Sequence, residues 1–129
     1  MMTKNISLHI LILTLFLTGC ERIELNEAFS VKVGDKFKVD SNLSFSVDSV
    51  DDYRCPLLFE CLWSGDVKMF CTFYEPRHHT DTAIYLINTR NSINMGGYNF
   101  KLLTVNPQSQ RGEVIQQNEY KLDIIVQKD

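Results

Sequence analysis

Leu43-Ser44-Phe45-Ser46-Val47-Asp48 is the stretch that decides the fold class. Successive side chains of an extended strand point to opposite faces, so Leu43, Phe45 and Val47 share one side while Ser44, Ser46 and Asp48 share the other. A strand with one dry and one wet face follows.

Towards the N-terminus the same period of two returns. Phe29, Val31 and Val33 alternate with Ser30 and Lys32, and Gly34-Asp35 makes a turn. Phe37 and Val39 then alternate with Lys36 and Lys38 before the turn Asp40-Ser41-Asn42. Towards the C-terminus, Val67, Met69, Cys71 and Phe73 lie opposite Lys68, Phe70, Thr72 and Tyr74, and aromatics on both faces predict a central strand. Glu75 to Asp81 reads as a loop, Thr82 to Ile87 as an interior strand, and Asn88 to Gly97 as a polar connection. In the next strand Tyr98, Phe100 and Leu102 alternate with Asn99 and Lys101. Leu103 and Val105 then move the apolar set to the other face, which predicts a bulge near Leu102. Val114-Ile115 reads as a short edge strand and Gln117-Asn118 as a turn, and Tyr120, Leu122, Ile124 and Val126 form a last strand.

Seven or eight short strands at about ten-residue intervals, with no sustained helical period, predict an all-β chain. A small antiparallel β-sandwich is the preferred architecture and a small β-barrel the alternative. At 129 residues the chain has room for one domain, and 44% hydrophobic with 22% charged residues is ordinary for a globular protein.

The first residues have a different character. A lone Lys4, an apolar run from Ile6 to Leu17 and small residues before Cys20 have the order of a signal peptide over residues 1–19. The apolar run is shorter than the roughly 20 residues a permanent span needs. Leu17-Thr18-Gly19-Cys20 resembles the lipobox of bacterial lipoproteins, in which cleavage precedes the cysteine and the cysteine is acylated. That resemblance implies palmitate-type acylation of Cys20 and membrane attachment through it, residues 20–27 as a tether and residues 28–129 as the domain. The expected location is the bacterial cell envelope, at the outer membrane, with the periplasmic or surface face left open.

Loss of Lys4 takes the formal charge from −3 to −4, and the basic residues are scattered singly. Nucleic acid is therefore not an expected partner.

The rare residues gather in Tyr53-Arg54-Cys55-Pro56-Leu57-Leu58-Phe59-Glu60-Cys61-Leu62-Trp63-Ser64-Gly65. Outside the reducing cytosol disulfides are permitted, and Cys55 with Cys61 is the natural pair, closing a ring around the turn begun by Pro56. In the chain-entropy model a ring of about seven residues contributes roughly 2.4 kcal/mol. Cys71 shares the parity of Val67, Met69 and Phe73 and is expected as a buried free thiol; Cys61–Cys71 and Cys55–Cys71 are the alternatives. Trp63 is expected in the core, its alternative being exposure beside Leu57, Leu58 and Phe59. Those three cannot all point inward from so small a ring, which makes them a candidate interaction tip.

Catalysis and metal binding find little support in the residues. A bridged cysteine lacks the thiolate a nucleophile needs, and His78-His79 stand far from it in sequence. Neither the spacing of a zinc site nor a phosphate-binding loop is present. Asp48, Asp51, Asp52, Glu60 and Asp66 flank the ring, and such acids read as turn formers and a solvated rim rather than as calcium ligands. No cofactor is expected.

The pattern from Asp51 through Arg54-Cys55-Pro56, Cys61, Trp63 and Gly65 resembles a D-x-R-C-P…C-x-W-x-G motif of small, uncharacterised bacterial lipoproteins. The resemblance runs over nearly the whole mature chain, from Val33-Gly34 to Tyr120-Lys121-Leu122. It departs with Tyr53 where serine is usual and with Cys71 where an aliphatic residue is usual. The family implies a compact β domain and no particular activity. The expected function is a non-catalytic binding module, not an enzyme, that holds an envelope protein, peptide or glycan. A structural or assembly-accessory lipoprotein, or a peptidase inhibitor using the Cys55–Cys61 loop, are the alternatives.

Overall fold

The computed structural model describes residues 22–111 and 113–129. The expected signal peptide and the acylation site Cys20 lie outside the described residues.

The described residues fold as eight strands in two antiparallel sheets. They are β1 (Phe29–Val31), β2 (Lys36–Lys38), β3 (Ser44–Asp52), β4 (Val67–Tyr74), β5 (His79–Tyr85), β6 (Ser92–Met95), β7 (Tyr98–Asn106) and β8 (Lys121–Lys128). One sheet has the order β1-β8-β7-β6 and the other β2-β3-β4-β5. Within each sheet strands consecutive in sequence pair, and β1 pairs with β8, so read round the sandwich the order is that of an up-and-down barrel. Among the described residues, however, no ladder joins β1 to β2 or β5 to β6, and the fold is the expected all-β sandwich.

The alternation that starts at Leu43 has its predicted consequence. Phe45, Val47, Met69, Phe73, Phe100, Leu102, Leu122, Ile124 and Val126 are almost wholly removed from solvent between the sheets. Phe100 meets Phe45 at 5.3 Å and Phe73 at 4.7 Å between ring centroids, both edge to face. Such pairs contribute about 0.5–1.5 kcal/mol each beyond the area they bury.

Two bulges re-aim the long strands. The slip expected near Leu102 is present, with the β7–β8 register shifting between Leu102 and Thr104. A second lies in β3 between Val47 and Ser49. Its signature in the sequence is the three-residue spacing of Val47 and Val50, both buried.

Several expectations are corrected. His79 to Asp81 belong to β5, because the β4–β5 hairpin needs only Glu75–His78, closed by Glu75 N–H donating to the His78 carbonyl at 2.9 Å. That strand is an edge, not interior. It is apolar because Ile84 faces the core while the Tyr85 ring stacks with Lys68, Nζ to centroid 5.5 Å. The connection over residues 88–97 contains β6, joined to β7 by Gly96-Gly97 with φ of 60° and 85°. These are left-handed values, which a two-residue hairpin requires and glycine supplies. Val114-Ile115 forms no strand, and the turn at Gln117-Asn118 is a short 3-10 helix over Gln117–Glu119.

The segment expected as a free tether also behaves differently. Arg22 bridges Lys38 in parallel, Ile23 N–H reaches the Lys38 carbonyl at 3.4 Å, and Asn26 N–H donates to the Val126 carbonyl at 2.9 Å. Ile23 and Leu25 pack against the core. Residues 22–27 are thus a strap laid across both sheets, because two apolar side chains in an otherwise polar segment find cover there.

Candidate interaction site

Cys55 and Cys61 form the expected bridge, and Cys71 is the buried free thiol, among the described residues. Burial, helped by the charge of Asp48, pushes the Cys71 thiol up to about 12. It is inert packing rather than chemistry.

The stapled ring stands on a polar base. Asp52 ends β3, and Tyr53 N–H donates to the Asp66 carbonyl at 3.0 Å to close the root of the loop. Arg54 donates to Asp52 through Nε at 2.9 Å and Nη2 at 2.7 Å, to the Val105 carbonyl at 2.9 Å and to the Pro107 carbonyl at 3.1 Å. The Tyr120 hydroxyl donates to Asp52 at 3.2 Å. Burial opposes ionisation of Asp52, but the hydrogen bonds and charge of Arg54 outweigh it and hold the carboxyl below its usual range. Tyr120 moves the other way, pushed up to about 12 by burial and by Asp52.

The ring is also tied to the loop after β7. Leu57 N–H donates to the Ser109 carbonyl at 2.9 Å, Gln108 Nε2 to the Cys55 carbonyl at 2.8 Å, and the Arg111 guanidinium lies 5.6 Å above the Phe59 ring. Gly65 then turns the chain into β4 with φ +68°, and a Cβ there would strike the Tyr53 carbonyl and Arg54 backbone. Asp52, Arg54, Cys55, Cys61 and Gly65 therefore have a shared physical role: an ion pair, a staple and a glycine turn that fix one loop.

That loop exposes apolar side chains. Leu57 is 45% exposed, Leu58 87%, Phe59 47%, Leu62 103% and Trp63 61%. Trp63 is thus not in the core. The segment between the ring and Gly65 passes outside the sheets, and at that end the core is already filled by Val50, Val67, Met69, Val105 and Leu122. Leu58 adds a second anomaly. The Phe59 N–H bonds back to the Pro56 carbonyl at 3.2 Å, and within that turn Leu58 has φ +71°, where glycine is the comfortable residue. A leucine held there costs about 1–2 kcal/mol.

The other candidate residues are dispersed. His78 sits 3.3 Å from Glu75 at the opposite end of the sandwich from the bridge, and His79 stacks near Tyr74. Asp66 is buried and accepts from the N–H groups of Val67, Ile87 and Asn88, which ties down the loop after β5. Asp48 takes hydrogen bonds from Ser46 and Thr72 on the outer face. Among the described residues no group of three or more His, Cys, Asp or Glu is placed to hold a metal ion. Nothing in the sequence marks Leu62 as exposed, because its neighbour Trp63 is expected in the core.

No family model matches this chain, and no match was found among curated proteins or solved structures.

Proposed function

We propose that this chain is a lipid-anchored lipoprotein of the bacterial envelope whose β-sandwich is a non-catalytic binding module, with the Leu57–Trp63 loop as its contact surface. The observation that carries this reading is the combination of a rigid base with an apolar top. An Arg54–Asp52 pair whose side chains are 10% and 6% exposed pins the loop, and Leu58, Leu62 and Trp63 project from it. Rigid presentation lowers the ordering cost of binding, and tryptophan is among the residues enriched in binding hot spots.

The anchoring half of the reading rests on Leu17-Thr18-Gly19-Cys20 and its resemblance to a lipobox. Several acyl chains on one cysteine would give stable attachment, since each buried methylene contributes about 0.8 kcal/mol.

The peptidase-inhibitor alternative is supported less well. A protease cleft takes an extended segment, whereas the left-handed φ of Leu58 breaks the extended run at the tip. A purely structural lipoprotein gives no account of a strained leucine held in solvent.

Labelling with a fatty-acid analogue tests the anchor: the wild type should label and Cys20→Ala should not, and a labelled Cys20→Ala contradicts it. For the surface, Leu58→Asp with Trp63→Asp should keep the folded state while envelope partners captured by the wild type are lost. Unchanged capture by the folded variant would refute the binding role.

A further inference from the structure

The two ends of the sandwich differ, and the register of the strands says which loop belongs to which end. Arg22 bridges Lys38, and Lys38 pairs with Ser44, which pairs with Tyr74. The strap, the Asp40–Leu43 turn and the Glu75–His78 turn therefore share one end, the strap end. At the other end Asp52 pairs with Val67, and Lys68 pairs with Tyr85. The stapled ring, the loop after β5 and the loop after β7 gather there. From Ser44 to Asp52 the chain rises roughly 26 Å at about 3.3 Å per residue.

Exposed apolar residues are concentrated at the second end. Of the ten large hydrophobic side chains exposed among the described residues, six fall between Tyr53 and Trp63. Ile87 and Val114, in the two neighbouring loops, bring the number to eight. The remaining two, Phe70 and Leu103, lie on the outer faces of the sheets.

We infer that the anchored protein stands on its strap end and presents the Leu58–Leu62–Trp63 tip away from its own membrane, to an apolar cleft on another envelope protein. This rests on the lipid-anchor reading above. The short length of chain between Cys20 and the described residues, and the place where it joins them, fix this orientation. Cys20 precedes Arg22 by two residues, at most about 7 Å of chain. A free tether of residues 20–27 would span roughly 27 Å and let the domain tip over onto the bilayer. The strap removes that slack, because Ile23, Leu25 and Asn26 are already committed to the sandwich.

Charge narrows the occupant further. Charge is mixed at this end: Glu60 stands within the ring, Arg111 lies over Phe59, Asp51 pairs across from Lys68, which lies near Tyr53, and Arg54 is consumed by Asp52. An anionic headgroup surface or a nucleic acid finds no field to follow there. An uncharged apolar cleft is the complement that remains.

Trp63 is the sole tryptophan and makes the orientation measurable. Acylated full-length protein is reconstituted on phosphatidylcholine vesicles with and without brominated acyl chains. The protein should float with the vesicles and Trp63 emission should be unquenched, while a Ser41→Trp reporter in a Trp63→Phe background should lose most of its emission. Quenching of Trp63 overturns the orientation. Failure to float, with no fatty-acid label on Cys20, removes the anchor reading instead and the inference with it. For the occupant, a photo-crosslinker at position 58 in intact cells should give an adduct with another protein. Excess non-acylated Cys20→Ala protein should abolish that adduct, and the same protein carrying Trp63→Asp should not. An adduct with lipid, an adduct with a second copy of this chain, or indifference to both competitors overturns it.

Discussion

Asp52 and Arg54, two residues apart at the end of β3, face each other through two hydrogen bonds of 2.7 and 2.9 Å with both side chains nearly out of solvent. The same guanidinium reaches the Val105 and Pro107 carbonyls, so one side chain joins the root of the stapled loop to the end of β7. Removing one partner of a buried pair leaves the other charge without compensation. Arg54→Met should therefore cost about 3–5 kcal/mol, and Arg54→Met with Asp52→Asn clearly less than the single change. Urea unfolding of both variants checks this; a loss under about 1 kcal/mol for Arg54→Met would contradict the role assigned to the pair.

Gly65 and Leu58 both have left-handed backbones, but only one of them is suited to it. Gly65→Ala places a Cβ against the Tyr53 carbonyl and should destabilise by more than about 1 kcal/mol. Leu58→Gly relieves strain of about 1–2 kcal/mol against an unfolded-state entropy cost of about 0.5–1 kcal/mol, so stability should hold or rise. Thermal unfolding of the two variants should move in opposite directions or, for Leu58→Gly, not at all.

The bridge should be worth less than the ion pair. Cys55→Ser with Cys61→Ser should cost roughly 2.4 kcal/mol or less, because the ring is short and the base hydrogen bonds survive. Chemical denaturation of this variant and of the wild type under reducing conditions should agree.

Stability should fall at both ends of the pH scale. Asp52 is held below its usual range, so its contribution is present above the unfolded carboxyl value of about 3.9 and is lost as pH falls through the folded value. Asp123, lowered by the Ser30 and Thr104 hydroxyls, acts in the same direction. Cys71 and Tyr120 are pushed up to about 12, so they stabilise fully below their unfolded values and lose that contribution as pH rises towards 12. Urea midpoints should be level near neutrality, drop below about pH 4, and decline from about pH 9 upwards. Cys71→Val should flatten the alkaline limb.

Much of the sandwich was legible because period-two alternation marks a half-buried strand, and Leu43 to Asp48 has it without interruption. The bulge near Leu102 was visible as a change of parity. What failed did so locally. A polar composition masked β6, although Gly96-Gly97 between Met95 and Tyr98 was a two-residue hairpin signal. An apolar run suggested that β5 is interior, when Tyr85 was covering Lys68 on an edge. At the site, the close spacing of Cys55 and Cys61 about Pro56, with an oxidising compartment expected, pointed to the bridge, and crowding within the ring suggested that Leu57, Leu58 and Phe59 stand out. The exposure of Trp63 was not legible, because whether a tryptophan lies under a sheet or outside it depends on the path that Gly65 imposes. The Asp52–Arg54–Tyr120 network was equally hidden, since Tyr120 lies 68 residues from Asp52.

The central claim is that the stapled loop binds while the rest of the sandwich holds it in place. The direct measurement is the yield of protein adduct from a photo-crosslinker at position 62 in intact cells, with and without Leu58→Asp and Trp63→Asp. Both side chains are exposed, so purified double variant should unfold within about 0.5 kcal/mol of the wild type. The adduct should disappear in this folded variant; an adduct at the wild-type level would contradict the binding role of the loop.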